Sequence, residues 1–370
     1  MKIVHVVEPF ATGVNTFIHE LVFGMPDHEH IIIHGERDDN RELEQIKLEY
    51  NKKATFIKWQ NAQREINLRL DYKAYFELKK ILKQIDFDIL HLHSSKAGII
   101  GRYIGLTCGF KKIIYTPNAA SFLRTDISPK KKRVYQLIEK LANRFHSKII
   151  SSSRSEFNAY KGIGVKSKII QNGVTISREE KKTPLIKNTF KIVICGKITI
   201  QKNPAFFNRI AKFFENDDDV SFTWIGDGEL RHLLTSKNIT ITGWCSKKEV
   251  FEHLEESDIY LSSSSWEGLP LASIEALAFG LPLVMNRCFG NTDLVTPNVN
   301  GFLFDSKEQA IEYIEHLKDN KEKYDLLSNT SLKMYRRHYD NYRCALEYEQ
   351  LYIAISRIPV KKKKLKIVNG

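Results

Sequence analysis

Short apolar runs alternate along most of the chain with longer stretches of helical period. KIVHVV (residues 2–7), HIIIHG (30–35), FDILHLH (87–93) and FKIVIC (190–195) are continuous runs of the kind that parallel strands buried on both faces produce. Between them, Val14, Phe17, Ile18, Leu21 and Val22, and later Phe76, Leu78, Ile81, Leu82 and Ile85, recur at the spacing of one helical face. KKIIY from Lys111, KIIS from Lys148 and KIIQ from Lys168 continue the strand series. In SSKAGIIGRYIGL the small residues Ala97, Gly98 and Gly101 predict a helix packed close to its neighbours. A helix from about Pro129 to Phe145 carries Lys130–Arg133 at its start and Val134, Leu137, Ile138 and Leu141 on its apolar side. The βα alternation favours an open parallel sheet strongly over an all-β or bundle architecture. Residues 177–189, polar and with a proline, read as a linker, after which the scheme restarts at Phe190. The expected division is residues 1–183, residues 189–340, a last helix at about 341–358 and a basic tail at 359–370.

Length agrees: 370 residues exceed one ordinary core and suit two units of about 150 to 200 residues. Hydrophobic residues make up 42% and charged residues 27%, the balance of a globular protein. No apolar run approaches the roughly 18 residues of a membrane span, and MKIVHVVEPF lacks the profile of a signal peptide, so the expected location is the cytoplasm. Five cysteines, widely spaced and without a metal-ligand pattern, are expected to be reduced. The net charge of +13 asks for an anionic partner: nucleic acid, an anionic membrane surface or a phosphorylated substrate. The basic runs are Lys130–Arg133 and Lys361–Lys364, with Lys366 beyond. As a rule such runs are solvated faces. Zinc-finger spacing and RNA-recognition aromatics are missing, so specific nucleic-acid binding is not expected and an anionic membrane is the better functional reading.

The chemistry concentrates between Asp258 and Met285. Ile259 and Leu261 lead into four serines, a tight loop with Gly268, Pro270 at a helix start, and Leu271, Ile274, Leu277 and Ala278 on one helical face. Unpaired amides at such a helix start suit a diphosphate. Glu267 and Glu275 bracket the site with seven residues between them. Carboxylates there can accept bonds from the paired hydroxyls of ribose or hexose. The plain alternative makes Glu267 a capping acid and Glu275 a solvated helix residue.

Lys197 and Lys202 stand in the loop after the 190–195 strand, near the next helix start, and suit the charge of a departing phosphate. Gly226 and Gly243 mark turns where a nucleotide ring can lie against backbone, although both also suit plain connections. Gly13 opens the first βα turn, a weak signal by itself. His93 closes the 87–93 strand and Asn118 follows Thr116-Pro117, both at carboxyl ends of strands, where open α/β sheets gather ligands. A histidine in such a place is more often structural than catalytic.

EGLPLASIEALAFGLPLV, with its E-x7-E element, resembles the retaining nucleotide-sugar-dependent enzymes of glycosyltransferase family 4. GKITIQKNP, WIGDG, ITGW and VNGFLF support the resemblance. HLHSSKAGIIGR and YTPNAASFL are similar to bacterial capsule, O-antigen and exopolysaccharide members, and the likeness covers nearly the whole chain. It implies the α/β GT-B fold, two Rossmann-like doubly wound domains facing each other across a cleft, with the last helix crossing back onto the first domain. It implies that Lys197 and Lys202 hold the donor diphosphate, Lys197 standing where many members have arginine. Glu275 would bind ribose, Glu267 the transferred sugar, and the amides around Gly268 and Leu269 the phosphates. Gly13 would lie in a loop closing over the donor. Asn118 stands where many members carry histidine, which puts a histidine contact to the sugar in doubt.

The activity implied is transfer of a hexose, with retention and without a metal or other cofactor, from a UDP-sugar to a polyprenyl-diphosphate-linked saccharide or other saccharide acceptor in bacterial surface polysaccharide synthesis. The enzyme would sit peripherally at the inner membrane face. Two other functions stay open: a nucleotide-sugar 2-epimerase of the same architecture, needing acids and histidines placed for proton abstraction, and a non-enzymatic nucleic-acid binder.

Overall fold

The structure, a computed structural model, describes residues 1–8, 10, 12–35, 43–63, 67–176 and 189–357. Linker residues 177–188 and the basic tail, with Lys361–Lys364 and Lys366, lie outside the described residues.

Seven strands, β1 (Lys2–Val7), β2 (Glu29–His34), β3 (Ala54–Lys58), β4 (Ile89–His93), β5 (Ile113–Thr116), β6 (Ser147–Ser151) and β7 (Ser167–Ile169), form one sheet in the order β3-β2-β1-β4-β5-β6-β7. Six more, β8 (Phe190–Cys195), β9 (Val220–Ile225), β10 (Ile239–Ile241), β11 (Ile259–Ser262), β12 (Leu283–Asn286) and β13 (Gly301–Phe304), form a second in the order β10-β9-β8-β11-β12-β13. Every pairing between these strands is parallel. The apolar runs read from the sequence are strand cores: Ile3, Val4, Val6 and Val7 in β1 and Ile192, Val193 and Ile194 in β8 are fully buried. Each sheet reverses direction beside its first strand, between β1 and β4 and between β8 and β11. At such switch points doubly wound sheets open a crevice at the carboxyl ends of their strands. The architecture is the GT-B pair of Rossmann-like lobes.

The first lobe carries α1 (Thr12–Gly24), α2 (Leu43–Glu49), α3 (Leu68–Gln84), α4 (Ser95–Cys108), α5 (Pro129–Ala142) and α6 (Arg154–Gly162). The second carries α7 (Pro204–Phe213), α8 (Lys247–Glu256), α9 (Leu271–Ala278), α10 (Asn291–Leu294), α11 (Lys307–Asp319) and α12 (Lys321–Met334). Glycine sets how close α4 comes to its sheet. A Cβ on Gly98 would lie 2.2 Å from the Tyr115 ring, and one on Gly101 2.4 Å from Leu92.

α5 departs from the sequence reading. Its apolar side faces outward, with Val134, Leu137 and Leu141 53%, 55% and 47% exposed. It buries Ala142 and, unexpectedly, Glu139, which accepts from Arg102 Nη2 at 2.9 Å and from the Tyr115 hydroxyl at 3.1 Å. Arg102 is itself fully buried, so an inward charge pair helps to fix the roll of the helix.

The last helix, α13 (Asn341–Ser356), follows the second lobe in sequence and packs on the first. Its Tyr352 hydroxyl lies 2.7 Å from His91 Nδ1, its Tyr348 hydroxyl 3.2 Å from Thr116 Oγ1, and Asn341 Nδ2 donates to the Glu20 carbonyl at 2.9 Å.

Candidate active site

β11 runs into a loop at Ser263, and α9 starts at Leu271 with no side chain capping its first amides. That leaves the positive end of the helix dipole facing the switch point of the second sheet. α9 is buried all round, and Glu275 within it is only 5% exposed; the alternative of a solvated helix residue does not hold. Glu267 is not a cap either. Its Oε1 accepts from Lys202 Nζ at 2.8 Å and Ser264 Oγ at 2.7 Å, and its Oε2 from Gln201 Nε2 at 3.1 Å.

Lys202 comes from the loop between β8 and α7, where Asn203 caps the helix. The ammonium lies over Gly196, whose φ of +139° and missing side chain leave it room: a Cβ there would be 3.0 Å from Lys202 Cε. Burial opposes the lysine's charge, but the Glu267 carboxylate, with Tyr260 and Cys195, more than offsets it, and the pKa lies above the ordinary lysine range. Cys195, at the end of β8, is within electrostatic reach of Glu275, Lys202 and Lys247, which puts these groups around one strand end. Lys197, in the same loop, has its ammonium 3.9 Å from Glu229.

The two turn glycines differ. A Cβ on Gly226 would strike the Gly196 carbonyl at 2.4 Å, so this glycine serves the crossing of two backbones. Gly243, at φ +75°, has nothing nearer than 4.0 Å to its missing Cβ and leaves open space beside it.

The loop before α9 also meets the first lobe. A Cβ on Gly268 would lie 2.7 Å from the Ala119 amide nitrogen, and the Leu269 carbonyl accepts from Asn172 Nδ2 at 3.0 Å. Asn118 and Ala119 hold left-handed backbones, φ 52° and 78°, and form the wall opposite Gly268. Glu156, fully buried, steadies that wall by accepting from the Ala120 amide at 2.9 Å and the Ser152 amide at 2.8 Å. Nearby, the Ser155 amide donates to Asp293 Oδ1 at 3.0 Å and the Gly290 amide to Ser155 Oγ at 3.2 Å.

His93 does end β4, but it is wholly buried. It closes a chain in which His30 Nε2 donates to the Met25 carbonyl at 3.1 Å, His30 Nδ1 meets His5 Nε2 at 3.1 Å, and His5 Nδ1 meets His93 Nε2 at 3.0 Å. With neutral rings the Met25 carbonyl fixes every tautomer in turn and leaves His93 Nδ1 unprotonated. Burial holds His5, His91 and His93 well below the usual histidine range. His5, His91 and His93 each bring a ring nitrogen within 4.8 Å of the others, the closeness a metal site needs. Both nitrogens of His5 and of His91 have hydrogen-bond partners, while His93 Nδ1 is buried without one. Gly13 is placed differently from expectation: it is exposed in the first turn of α1, not in the preceding loop.

Sequence reasoning missed Gln201, Ser264, Glu156, Lys247 and Glu20. Lys247 Nζ, at the start of α8, donates to Glu275 Oε1, and Glu20 of α1 lies near both. Gln201 and Ser264 adjoin residues already singled out, and adjacency was the available signal. Lys247 and Glu20 carry none, since the partners that place them at the site are remote in sequence, and Glu156 reaches the wall through Ala120, 36 residues away.

Residues 11–178 match the family described as Glycosyltransferase Family 4, and residues 176–334 match Glycosyl transferases group 1. An Escherichia coli UDP-Gal:alpha-D-GlcNAc-diphosphoundecaprenol alpha-1,3-galactosyltransferase is 31% identical over 272 residues, 65% of this chain and 68% of that protein. The chain belongs to the family 4 glycosyltransferases. The O-antigen biosynthesis glycosyltransferase WbnH of E. coli is 27% identical across 69% of this glycosyltransferase and 74% of its own length. Among solved structures, HepE of Anabaena in complex with UDP-glucose superimposes with a TM-score of 0.76 at 16% identity, covering 96% of this chain and all of that one. Sucrose-phosphate synthase of Thermosynechococcus elongatus gives 0.77 at 13% identity, covering 96% and 99%. These last two likenesses carry the fold. Among the described residues, no helix is long and apolar enough to cross a membrane.

Proposed function

We propose that this glycosyltransferase moves a hexose, with retention, from a UDP-sugar to a polyprenyl-diphosphate-linked saccharide in surface polysaccharide assembly, at the cytoplasmic face of an anionic membrane. The observation that carries the reading is Glu275, buried in α9 behind an uncapped helix start, with Lys202 and Glu267 in the adjoining loops. The substrates named for the E. coli galactosyltransferase support the donor and acceptor classes.

In this reading Glu275 receives the ribose hydroxyls, and the α9 amides with Lys202 receive the diphosphate. Lys197, at the rim, adds charge at longer range. A diphosphate on Lys202 draws it from Glu267, whose Oε1 then faces the transferred sugar. The bond from C1 to the phosphate oxygen breaks as the acceptor oxygen bonds C1 on the same face, and the acceptor proton passes to the departing diphosphate. Fixed cations and helix dipoles stabilise the leaving charge, so the reaction is expected to persist in EDTA.

A panel of UDP-sugars incubated with polyprenyl-diphosphate-linked N-acetylglucosamine, read as UDP release and lipid-product mass, tests the proposal. Lys202→Ala is expected to lower turnover by roughly 10²-fold or more. Turnover unchanged in both Lys202→Ala and Glu275→Ala would place the chemistry elsewhere.

A further inference from the structure

Glu275 is engaged within the protein itself. Its Oε1 accepts from the ammonium of Lys247. The same ammonium is within electrostatic reach of Glu20, which comes from the other lobe, on α1 where that helix meets α9. Glu20 is buried, and its Oε2 accepts from the Thr175 amide at 3.0 Å and the Thr175 hydroxyl at 2.7 Å. One cation therefore bonds a buried carboxylate of its own lobe and acts electrostatically on a second buried carboxyl group from the other lobe.

Ribose presents two adjacent hydroxyls, and a carboxylate that receives both needs both oxygens. An ammonium on Oε1 competes for one of them. Once displaced, that ammonium, on a side chain 42% exposed, has a second carboxyl group within electrostatic reach in Glu20.

We propose that nucleotide binding hands Lys247 from Glu275 to Glu20, and that Glu20 releases a proton to solvent as it takes the ammonium. The inference rests on the reading of Glu275 as the ribose site. The only bond broken is the carboxyl O–H of Glu20; Lys247 keeps its proton throughout. The new pair would join α8 of one lobe to α1 of the other, so that filling the ribose site tightens the joint between lobes.

The electrostatics agree with the geometry. Burial pushes the Glu20 carboxyl up to about 7, partly offset by the Thr175 hydroxyl and by Lys247, while Glu275 pushes it further up. Near neutrality Glu20 thus holds a proton part of the time, and a closer ammonium removes it. Lys247 itself, despite burial, is held above the ordinary lysine range by Glu275. The other titratable groups facing Glu20 are Tyr335 and Cys344, both pushed by burial to about 12. His19 beside it is lowered by burial to about 4. Neither those two nor His19 changes charge between pH 6 and 8.

Calorimetric titration with UDP at pH 7.0, in phosphate and in Tris, reads the proton count, because the two buffers differ in ionisation enthalpy. The UDP phosphate contributes its own protons equally to every variant, so Glu20→Gln supplies the subtraction. Wild type is expected to release about half a proton more per UDP than Glu20→Gln, as befits a group half protonated at its pKa. Its UDP affinity should also rise roughly 3- to 10-fold more between pH 6 and 8. Lys247→Met should match Glu20→Gln, and it provides the same subtraction if the first variant does not fold. Equal proton release in wild type and Glu20→Gln, or undiminished release in Lys247→Met, overturns the handover. Glu275→Ala separates the two readings. If it weakens UDP binding at least about tenfold while wild type releases no more protons than Glu20→Gln, the ribose site stands and the handover falls. If UDP binds Glu275→Ala as it binds wild type, both fall.

Discussion

Gly268 stands where the two lobes meet beside the site, and the space for a side chain is already taken. A methyl group there would lie 2.7 Å from the Ala119 amide, whose own loop is pinned by Glu156. Neither backbone can yield without opening the lobe contact. Gly268→Ala is therefore expected to lower kcat by up to roughly 10²-fold, the scale of a 1 Å misplacement. A kcat equal to wild type would mean that the contact is not kept in the reacting enzyme. Both acids of the site were legible in the sequence, because they share one loop-helix unit. Their cations were not equally so: Lys202 was found through its own strand-loop-helix, while Lys247 and Glu20 reach Glu275 only through the folded joint. His93 was placed at a strand end correctly, yet its burial depended on α1 and α13, which no local pattern reveals. Gly226 was read as a turn suited to a nucleotide ring or to a plain connection, and its missing side chain lets two backbones cross.

At the scale of elements the strands were plain in the sequence, because a parallel strand covered on both faces must be apolar throughout. Helical periodicity is less complete information: it gives a face but not the direction in which that face looks. α5 shows the difference, since Val134, Leu137 and Leu141 share a face that points to solvent. Tyr103 and Leu106 of α4 and Leu68, Tyr72 and Phe76 of α3 are exposed as well. Ring contacts from Tyr75 to Tyr103 at 5.4 Å and from Tyr103 to Phe145 at 6.2 Å link the α3 and α4 sides of this surface. Lys130–Arg133 border it, and apolar patches of this kind mark interaction sites. An anionic bilayer offers both an acyl boundary for the leucines and charge for the lysines. Co-sedimentation should be stronger on vesicles containing phosphatidylglycerol than on phosphatidylcholine alone. Neutralising Lys130–Arg133 with glutamine should weaken binding by up to roughly 10³-fold at low salt, at about 1 kcal/mol per basic residue. Leu137→Ser with Leu141→Ser should weaken it without changing the salt dependence. Equal binding to neutral and anionic vesicles would remove the membrane reading and leave the basic run a solvated face.

At the scale of the molecule, the second lobe ends by bracing the first: α13 closes over the histidine cluster through Tyr348 and Tyr352. Four histidines, His5, His30, His91 and His93, are buried there with their pKa values lowered, chiefly by burial, His30 to about 4. Their unfolded value is the ordinary 6.5. A group whose folded pKa is depressed binds fewer protons folded than unfolded, so stability is full above pH 6.5 and falls as the pH drops below it. Between pH 7.5 and 5.5 each histidine that stays neutral costs about 1.4 kcal/mol. Glu20 works in the opposite sense. Its folded value of about 7 lies above the ordinary 4.5, so its contribution is present at low pH and lost as pH rises, which returns about 2 kcal/mol over the same interval. The histidines outnumber it, and acidification should lower the unfolding free energy by several kcal/mol. Urea unfolding at the two pH values tests this with tryptophan fluorescence as one probe, since Trp59 reports on the first lobe and Trp224, Trp244 and Trp266 on the second. Replacing His91 with phenylalanine removes one titrating ring but also orphans the Tyr352 hydroxyl, so that variant should start less stable at pH 7.5 and lose less on acidification. Equal stability of wild type at both pH values would mean that the cluster takes up protons without leaving the core, and the neutral hydrogen-bonded chain drawn from His30 to His93 would be wrong.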